Sequence, residues 1–176
     1  PGLVSPESNL RYGWNLTRRY AGIKFQELQK TKNQNFHSSS LLPSKLNNDL
    51  NNSDSQLINL HWVQGEMISI KSIGKINKPV IFTLHDSWAF LGSEHHPNGY
   101  KDKRYIEGYW KTNKPSTNRG IDIDRICWQM KKKYWKRPFQ IVCPSSWLAK
   151  CARNSYLMKD WPIKVIPNPL PLNIYK

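Results

Sequence analysis

The stretch that decides the fold is LINLHWVQGEMISIKSIGKINKPVIFTLHDSWAFLG, residues 57–92. It contains two apolar runs, Leu57–Leu60 and Val80–Leu84, and a histidine follows each run directly. Between the runs, apolar residues recur at helical spacing over residues 67–73, and Gly74 is a typical helix stop. The pattern predicts a β–α–β unit with a histidine at the carboxyl end of each strand.

These strand ends carry the candidate functional residues. Ligands of open parallel sheets bind at the carboxyl ends of the strands. A histidine there can donate a hydrogen bond to a phosphate or a sugar, or move a proton near neutral pH, and a carboxylate can orient it. His85 and Asp86 are therefore the catalytic candidates, and His61, Trp62 and Trp88 are substrate-binding candidates. The alternatives are histidines that only cap the strand edge and tryptophans that belong to the core.

The rest of the chain continues the alternation of strands and helices. Phe139–Cys143 and Ile163–Ile166 are predicted strands, and Asp122 and Ser145 have the character of helix N-caps. Ser145 is also a substrate-binding candidate. The sequence thus predicts an α/β fold, a Rossmann-like parallel sheet flanked by helices, over residues 55–170.

Residues 1–54 are predicted to be a basic lead-in, partly helical and partly loop. Helices are expected over residues 16–29 and 41–50. The first of these mixes cations with aromatic residues, so it either lies on an anionic membrane or covers the sheet with its apolar side. Residues 171–176, which follow several prolines, are expected to begin a linker to another domain.

The charge of the chain favours an anionic partner. There are 27 Lys and Arg residues against 12 Asp and Glu, a net charge of +15. Nucleic acid, an acidic membrane surface and phosphorylated substrates all fit, and so does a basic surface without a specific partner. Cations mixed with Trp and Tyr over residues 100–137 are typical of single-strand binding, but no RNP-like strand motif accompanies them, which makes nucleic acid the lesser interpretation.

Several classes of protein and site lack support in the sequence. No apolar run is long enough for a spanning helix, and we expect no signal peptide, because the first residues lack the charged, apolar and small-residue pattern of one. The three cysteines form no CxxC pair and are expected to be buried thiols, which favours a cytoplasmic location. Glu94-His95-His96 does not have the spacing of a metal site, so no metal is expected. Residues 86–120 are predicted to be a long irregular segment, functional or mobile.

Four segments together resemble a known family. They are INLHW (58–62), SIKSIGKINKPVIFTLHDSWAF (69–90), KKKYWKRPFQIVCPSSWLAKCARNS (131–155) and LMKDWPIKVIPNPL (157–170). In this order and spacing they are similar to the N-terminal domain of family-four glycosyltransferases of the GT-B fold, above all bacterial enzymes of polysaccharide and lipopolysaccharide assembly.

The resemblance implies a retaining transfer of sugar from a nucleotide-sugar donor to a glycan or lipid-linked acceptor, without a metal cofactor. It places His85 beside the transferred sugar. The family's next loop commonly carries cysteines where this chain has Glu94 and Tyr100, whereas His95 is retained and becomes a substrate-binding candidate. The enzyme is expected in the cytoplasm, in peripheral contact with the inner membrane face.

The family's first strand and glycine-rich loop, and its C-terminal donor-binding domain, find no counterpart in residues 1–176. The chain is therefore expected to be an incomplete N-terminal half of a GT-B fold and to be inactive in isolation. The rival interpretation is a non-catalytic basic binding module, either a degenerate relative or a nucleic-acid binder.

Overall fold

The computed structural model describes residues 9–99 and 102–169. In chain order, the helices are α1 (Asn9–Gln26), α2 (Leu46–Asn52), α3 (Ile70–Ile73), α4 (Arg104–Glu107), α5 (Ile123–Tyr134) and α6 (Ser146–Asn154). The strands are β1 (Gln29–Lys30), β2 (Ile58–His61), β3 (Val80–Thr83), β4 (Arg119–Gly120), β5 (Gln140–Cys143) and β6 (Ile163–Val165).

The centre of the fold is a four-stranded parallel sheet in the order β2-β3-β5-β6. Leu60 lies beside Phe82, and Phe82 lies beside Ile141 on the next strand. All three side chains are buried, as expected for parallel strands that are covered on both faces. The predicted α/β fold with a parallel sheet flanked by helices is confirmed. A separate antiparallel pair, β1 with β4, was not predicted.

The helix between β2 and β3 is shorter than predicted. Only Ile70–Ile73 is helical, a single turn, and the Ser69 hydroxyl caps it by accepting the N–H of Ser72 at 3.1 Å. Gly74 ends the turn as predicted. Its backbone is not left-handed, but a Cβ at this position would meet the carbonyl of Tyr134, so the glycine permits close packing against α5.

The lead-in also differs from the prediction. Helix α1 begins earlier than residue 16, and it buries Arg18, whose guanidinium donates to the carbonyl of Leu42 at 3.2 Å. The interpretation that the apolar side of this helix covers the sheet is wrong for Leu16, Tyr20 and Ile23, which are exposed. The second predicted helix lies at Leu46–Asn52, and the predicted linker at 171–176 falls outside the described residues.

The three cysteines, Cys127, Cys143 and Cys151, are free and buried, as the sequence predicts. Within the described ranges, no helix combines the length and the apolar character that crossing a bilayer requires.

The segment directly after β3 is not the mobile loop that one sequence interpretation allowed. Trp88, Phe90 and Leu91 are fully buried although they belong to no strand and no long helix. Their backbone carbonyls need donors, because an unpaired buried carbonyl is unfavourable. The donor comes from α5: the buried ammonium of Lys131 reaches the carbonyls of Trp88, Leu91 and Gly92.

Lys131 is held on several sides. Its Nζ lies 2.6 Å from the Gly92 carbonyl oxygen and 3.8 Å from the centre of the Trp88 ring. Burial lowers the pKa of Lys131 to about 7, whereas the three carbonyl oxygens and the ring stabilise the ammonium form. Lys131 thus takes the place of the backbone donors that a helix or a strand would supply.

Replacing this lysine is expected to loosen the segment. Lys131→Met keeps an apolar stem of similar length but leaves three buried carbonyls without their donor, which should lower the free energy of unfolding by about 3 kcal/mol. Urea denaturation at about pH 6, below the pKa of about 7 so that the ammonium form predominates, measures it. Lys133→Met, an exposed lysine of the same helix, should stay within about 0.5 kcal/mol of the wild type. A Lys131→Met protein as stable as that control would contradict the assigned role.

Candidate functional site

The register of the sheet brings the two predicted histidines together. His61 is the last residue of β2 and pairs in register with Thr83 of β3, so His85 lies just beyond the same edge. Nδ1 of His61 is 3.1 Å from Nε2 of His85, and both side chains are exposed. One of these nitrogens donates and the other accepts, so a hydrogen bond joins the two rings. The second nitrogen of each ring stays available to solvent or a ligand.

Beneath the pair, the buried carboxylate of Asp86 connects several segments. Its Oδ2 accepts the indole N–H of Trp62 at 3.0 Å and lies 2.6 Å from Nδ1 of His95, while Oδ1 accepts the backbone N–H of Trp88 at 2.9 Å. Burial raises the pKa of Asp86. The hydrogen bond and the charge of His95, together with the other donors, lower it by more, so the pKa of Asp86 lies below its usual value. Asp86 is therefore ionised at neutral pH.

The tautomer of His95 follows from its neighbours. A carboxylate can only accept, so Nδ1 of His95 carries the proton that it donates to Asp86. In the neutral ring Nε2 is then an acceptor, and the Ser38 hydroxyl lies 2.9 Å from it. Ser38, His95 and Asp86 are all buried and form a continuous hydrogen-bonded chain. This chain fixes the ring from both sides, which makes His95 a positioning residue.

The lead-in contributes directly to this arrangement. Ser38 N–H donates to the Ser93 carbonyl at 2.7 Å, and His95 N–H donates to the Phe36 carbonyl at 2.9 Å. An isolated antiparallel bridge joins His37 to Glu94 between them. Residues 36–38 thus lie alongside residues 93–95, although no sequence pattern connects the two stretches.

An exposed aromatic surface adjoins the buried hydrogen bonds of Ser38, His95 and Asp86. The rings of Phe36 and Trp62 are nearly parallel, at an interplanar angle of 16° with centroids 6.3 Å apart, and they are 58% and 48% exposed. The His95 ring lies 4.7 Å from Phe36 and 6.0 Å from Trp62. Trp62 has a φ of 44°, which costs a non-glycine residue about 1–3 kcal/mol. Its hydrogen bond to Asp86 offsets part of that strain.

Two predicted substrate-binding residues have other surroundings. Trp88 is fully buried, and its indole donates to the Ser38 carbonyl at 2.8 Å, so its role is to support the site from the core. Ser145 is exposed beyond the end of β5, and its hydroxyl caps α6 by accepting the N–H of Leu148 at 3.2 Å. The cap predicted from the sequence is confirmed, and it occupies one acceptor position of that hydroxyl.

Glu94 is engaged elsewhere. Its Oε1 accepts the Tyr109 hydroxyl at 2.6 Å, and burial together with neighbouring Asp124 raises the pKa of Glu94 well above its usual range.

Within residues 9–99 and 102–169, no group of three or more His, Cys, Asp and Glu side chains is placed to hold a metal ion. A polar cavity of about 390 Å³ is lined by Glu94, Asp124 and Arg104 among others, but by none of the predicted site residues.

Taken together, the sheet edge presents two imidazoles and an aromatic surface, all anchored on buried hydrogen bonds. Imidazole nitrogens can exchange hydrogen bonds or a proton with a hydroxyl, and an aromatic face can pack on the apolar face of a sugar ring. Phe36 and Ser38 were missed by sequence reasoning. A serine in a run of serines and a lone aromatic residue carry no spacing signal that would have pointed to them.

No protein-family model, no curated protein and no solved structure matches the chain.

The hydrogen bonds of Asp86 can be tested by removing its charge. Asp86→Asn keeps the shape but replaces an ionised acceptor of several donors, which should lower the free energy of unfolding by about 2 kcal/mol at pH 7. The lowered pKa means that the folded state favours the ionised form. The stabilisation is therefore fully present above the ordinary pKa of an aspartate and is lost as the pH falls through the folded pKa.

Urea denaturation of wild type and Asp86→Asn at a series of pH values measures this difference. The difference in the free energy of unfolding between the two proteins should be constant down to about pH 5 and should decrease below that pH. Asp160→Asn, at an exposed position, serves as the control and should show no such difference. Equal stability of Asp86→Asn and wild type at pH 7 would argue against Asp86 as the anchor of the site.

Proposed function

We propose that this chain is the acceptor-side part of a retaining, nucleotide-sugar-dependent glycosyltransferase that acts on a cell-surface polysaccharide or lipid-linked acceptor. The observation that supports it best is the exposed His61–His85 pair at the carboxyl edge of the sheet, with nitrogens 3.1 Å apart. Sugars are recognised through many hydroxyl groups, each a donor and an acceptor. A pair of imidazoles joined by a hydrogen bond can serve either role at each hydroxyl.

The aromatic surface supports the same function. Phe36 and Trp62 are exposed, and Trp62 follows His61 directly in the chain. An apolar platform next to hydrogen-bonding nitrogens suits a pyranose ring, which has an apolar face and a polar rim. In this proposal His85 contacts the transferred sugar or moves a proton, His61 holds the His85 ring, and Trp62 packs on a sugar. No metal takes part, and the nucleotide-sugar is a co-substrate.

The resemblance of residues 58–62, 69–90, 131–155 and 157–170 to GT-B enzymes adds the reaction type. Transfer of the sugar with retention, and the position of His85 at the transferred sugar, come from that resemblance. The hydrogen-bonding and aromatic character of the sheet edge is an independent argument for sugar binding.

Transfer should depend on His85. We expect His85→Ala to lower the rate of sugar transfer by about 10²-fold or more, because proton transfer by a positioned side chain contributes at least that much. The assay uses the protein purified from its source cells, a panel of radiolabelled nucleotide-sugars and membrane extract of the same cells as the acceptor. The product is followed by chromatography.

His96→Ala is the matched control, because His96 is an exposed histidine outside the pair. It should retain wild-type transfer. Transfer that survives His85→Ala unchanged would exclude the proposed role of His85. If no transfer occurs with any donor and the protein instead binds single-stranded nucleic acid with a steep loss of affinity in salt, the basic binding module would replace the enzyme.

The exposed surface of helix α1 supports the proposal that the protein acts at a membrane. Leu16, Tyr20 and Ile23 are spaced i, i+4 and i+7, so they form one stripe along the helix, and all three are exposed. Exposed Arg19 and Lys24 adjoin the stripe. An apolar stripe with flanking cations on a chain of net charge +15 suits the surface of an anionic leaflet.

We expect the chain to cosediment with vesicles that contain phosphatidylglycerol and not with purely zwitterionic vesicles. Replacing Leu16, Tyr20 and Ile23 together by Ser should weaken this binding about tenfold or more, because their insertion is lost. A triple Ser variant of three other exposed apolar residues, Leu57, Trp147 and Ile166, is the control. Equal weakening in both variants would show that α1 is not the membrane-facing element.

A further inference from the structure

Away from the sheet edge, three aromatic rings cluster beside the ammonium group of an exposed lysine. The ring centres of Trp110, Trp128 and Tyr156 are 5.2 to 6.0 Å apart, and each ring is steeply inclined to the others, at interplanar angles of 63° to 83°. We refer to these three residues as the aromatic cage. The Nζ of Lys132 lies 4.9, 5.4 and 4.8 Å from their respective ring centres. The two indole rings thus face the same ammonium group, and Tyr156 reaches it with its hydroxyl, 3.3 Å from Nζ.

The cage is built from separate segments, each fixed by its own contacts. The Trp110 indole donates to the Glu107 carbonyl at 2.9 Å, and its backbone N–H donates to Asn113 Oδ1 at 2.9 Å. Gly108, with a φ of 96°, lies so close to the indole that a Cβ would come within 2.9 Å of it. The wall formed by Trp110 is therefore set by its backbone and does not depend on Lys132.

The other two walls are equally fixed. Trp128 is fully buried in α5 and packs against Tyr109, with ring centres 5.9 Å apart. The backbone N–H of Tyr156 donates to the Tyr105 carbonyl at 2.8 Å. Trp110 and Tyr156 are 36% and 37% exposed, so the cage opens to solvent with Trp128 as its floor.

We propose that the aromatic cage is a binding site for an organic cation of the quaternary or methylated ammonium class, and that Lys132 occupies it in the free protein. Cages of two or three aromatic faces are the known way to bind such cations, because the negative faces of the rings attract a charge that water solvates weakly. A primary ammonium is strongly hydrated and gains less from the same rings. A methylated ammonium group can therefore displace the lysine.

The displacement of Lys132 is inexpensive. Its side chain is exposed, and its one hydrogen bond to the cage joins Nζ to the Tyr156 hydroxyl at 3.3 Å. Because Lys132 competes for the same rings, its exposed cation–π contact should weaken the binding of another cation by roughly two- to fivefold. The lysine thus acts as a weak internal competitor, and the site does not depend on the proposed sugar transfer.

The experiment titrates the whole chain with tetramethylammonium chloride, and with sodium chloride at equal ionic strength as the reference. Nuclear magnetic resonance follows the assigned indole N–H signals of Trp110 and Trp128. We expect saturable shifts of both signals in the wild type with the quaternary ion and not with sodium. Lys132→Ala removes the competitor and should tighten binding by roughly two- to fivefold.

Two further variants test whether the binding belongs to the cage. Trp110→Ala and Tyr156→Leu each remove one wall and should abolish the shift at Trp128, with circular dichroism to verify that both variants are folded. Lys133→Ala, an exposed lysine of the same helix, should bind as the wild type does. The proposal fails if Lys132→Ala shows no saturable shift, if it binds no tighter than the wild type, or if the folded wall variants still bind.

Discussion

The ionised carboxylate of Asp86 is the group on which the candidate site depends. A buried carboxylate is unfavourable unless donors satisfy it, and here the donors come from Trp62, His95 and the Trp88 backbone. Each donor belongs to a different part of the chain or to a turn without regular structure. Because Asp86 follows His85 directly, the bonds that satisfy the carboxylate also restrict the position of that imidazole. Interior polar bonds thereby preorganise an exposed surface.

A second buried charge completes the same construction. The turn that follows Asp86 enters the core without the hydrogen-bond ladder of a helix or a strand. Asp86 accepts an N–H at its start, and Lys131 donates to the carbonyls of Trp88, Leu91 and Gly92. An anion and a cation thus satisfy backbone groups that would otherwise be without partners in an apolar environment. Trp88 contacts both charged groups, because its indole ring faces the ammonium of Lys131 and its backbone N–H donates to Asp86.

The sequence predicted what local pattern determines. Continuous apolar runs, the caps Ser145 and Asp122 and the stop at Gly74 identified the four strands of the parallel sheet, the starts of α6 and α5 and the end of α3. It also brought His61 and His85 to one edge, since parallel strands end on the same side. The buried turn after Asp86 could not be predicted, because its burial depends on a lysine about forty residues away. The contribution of residues 36–38 depends on a pairing that is still more distant in the chain, His37 with Glu94.

The two exposed aromatic groups differ in what accompanies them, and that difference separates their ligands. At the sheet edge, the Trp62 indole is bound to an anion and lies near imidazoles, which exchange hydrogen bonds with neutral hydroxyls. In the aromatic cage, the rings already contact an ammonium group. With a net charge of +15, the protein repels free cations at long range, although salt limits this effect to about 8 Å at physiological ionic strength. A ligand whose ammonium is accompanied by a phosphate would avoid that repulsion, so the charge of the whole chain favours zwitterions over simple cations at the cage.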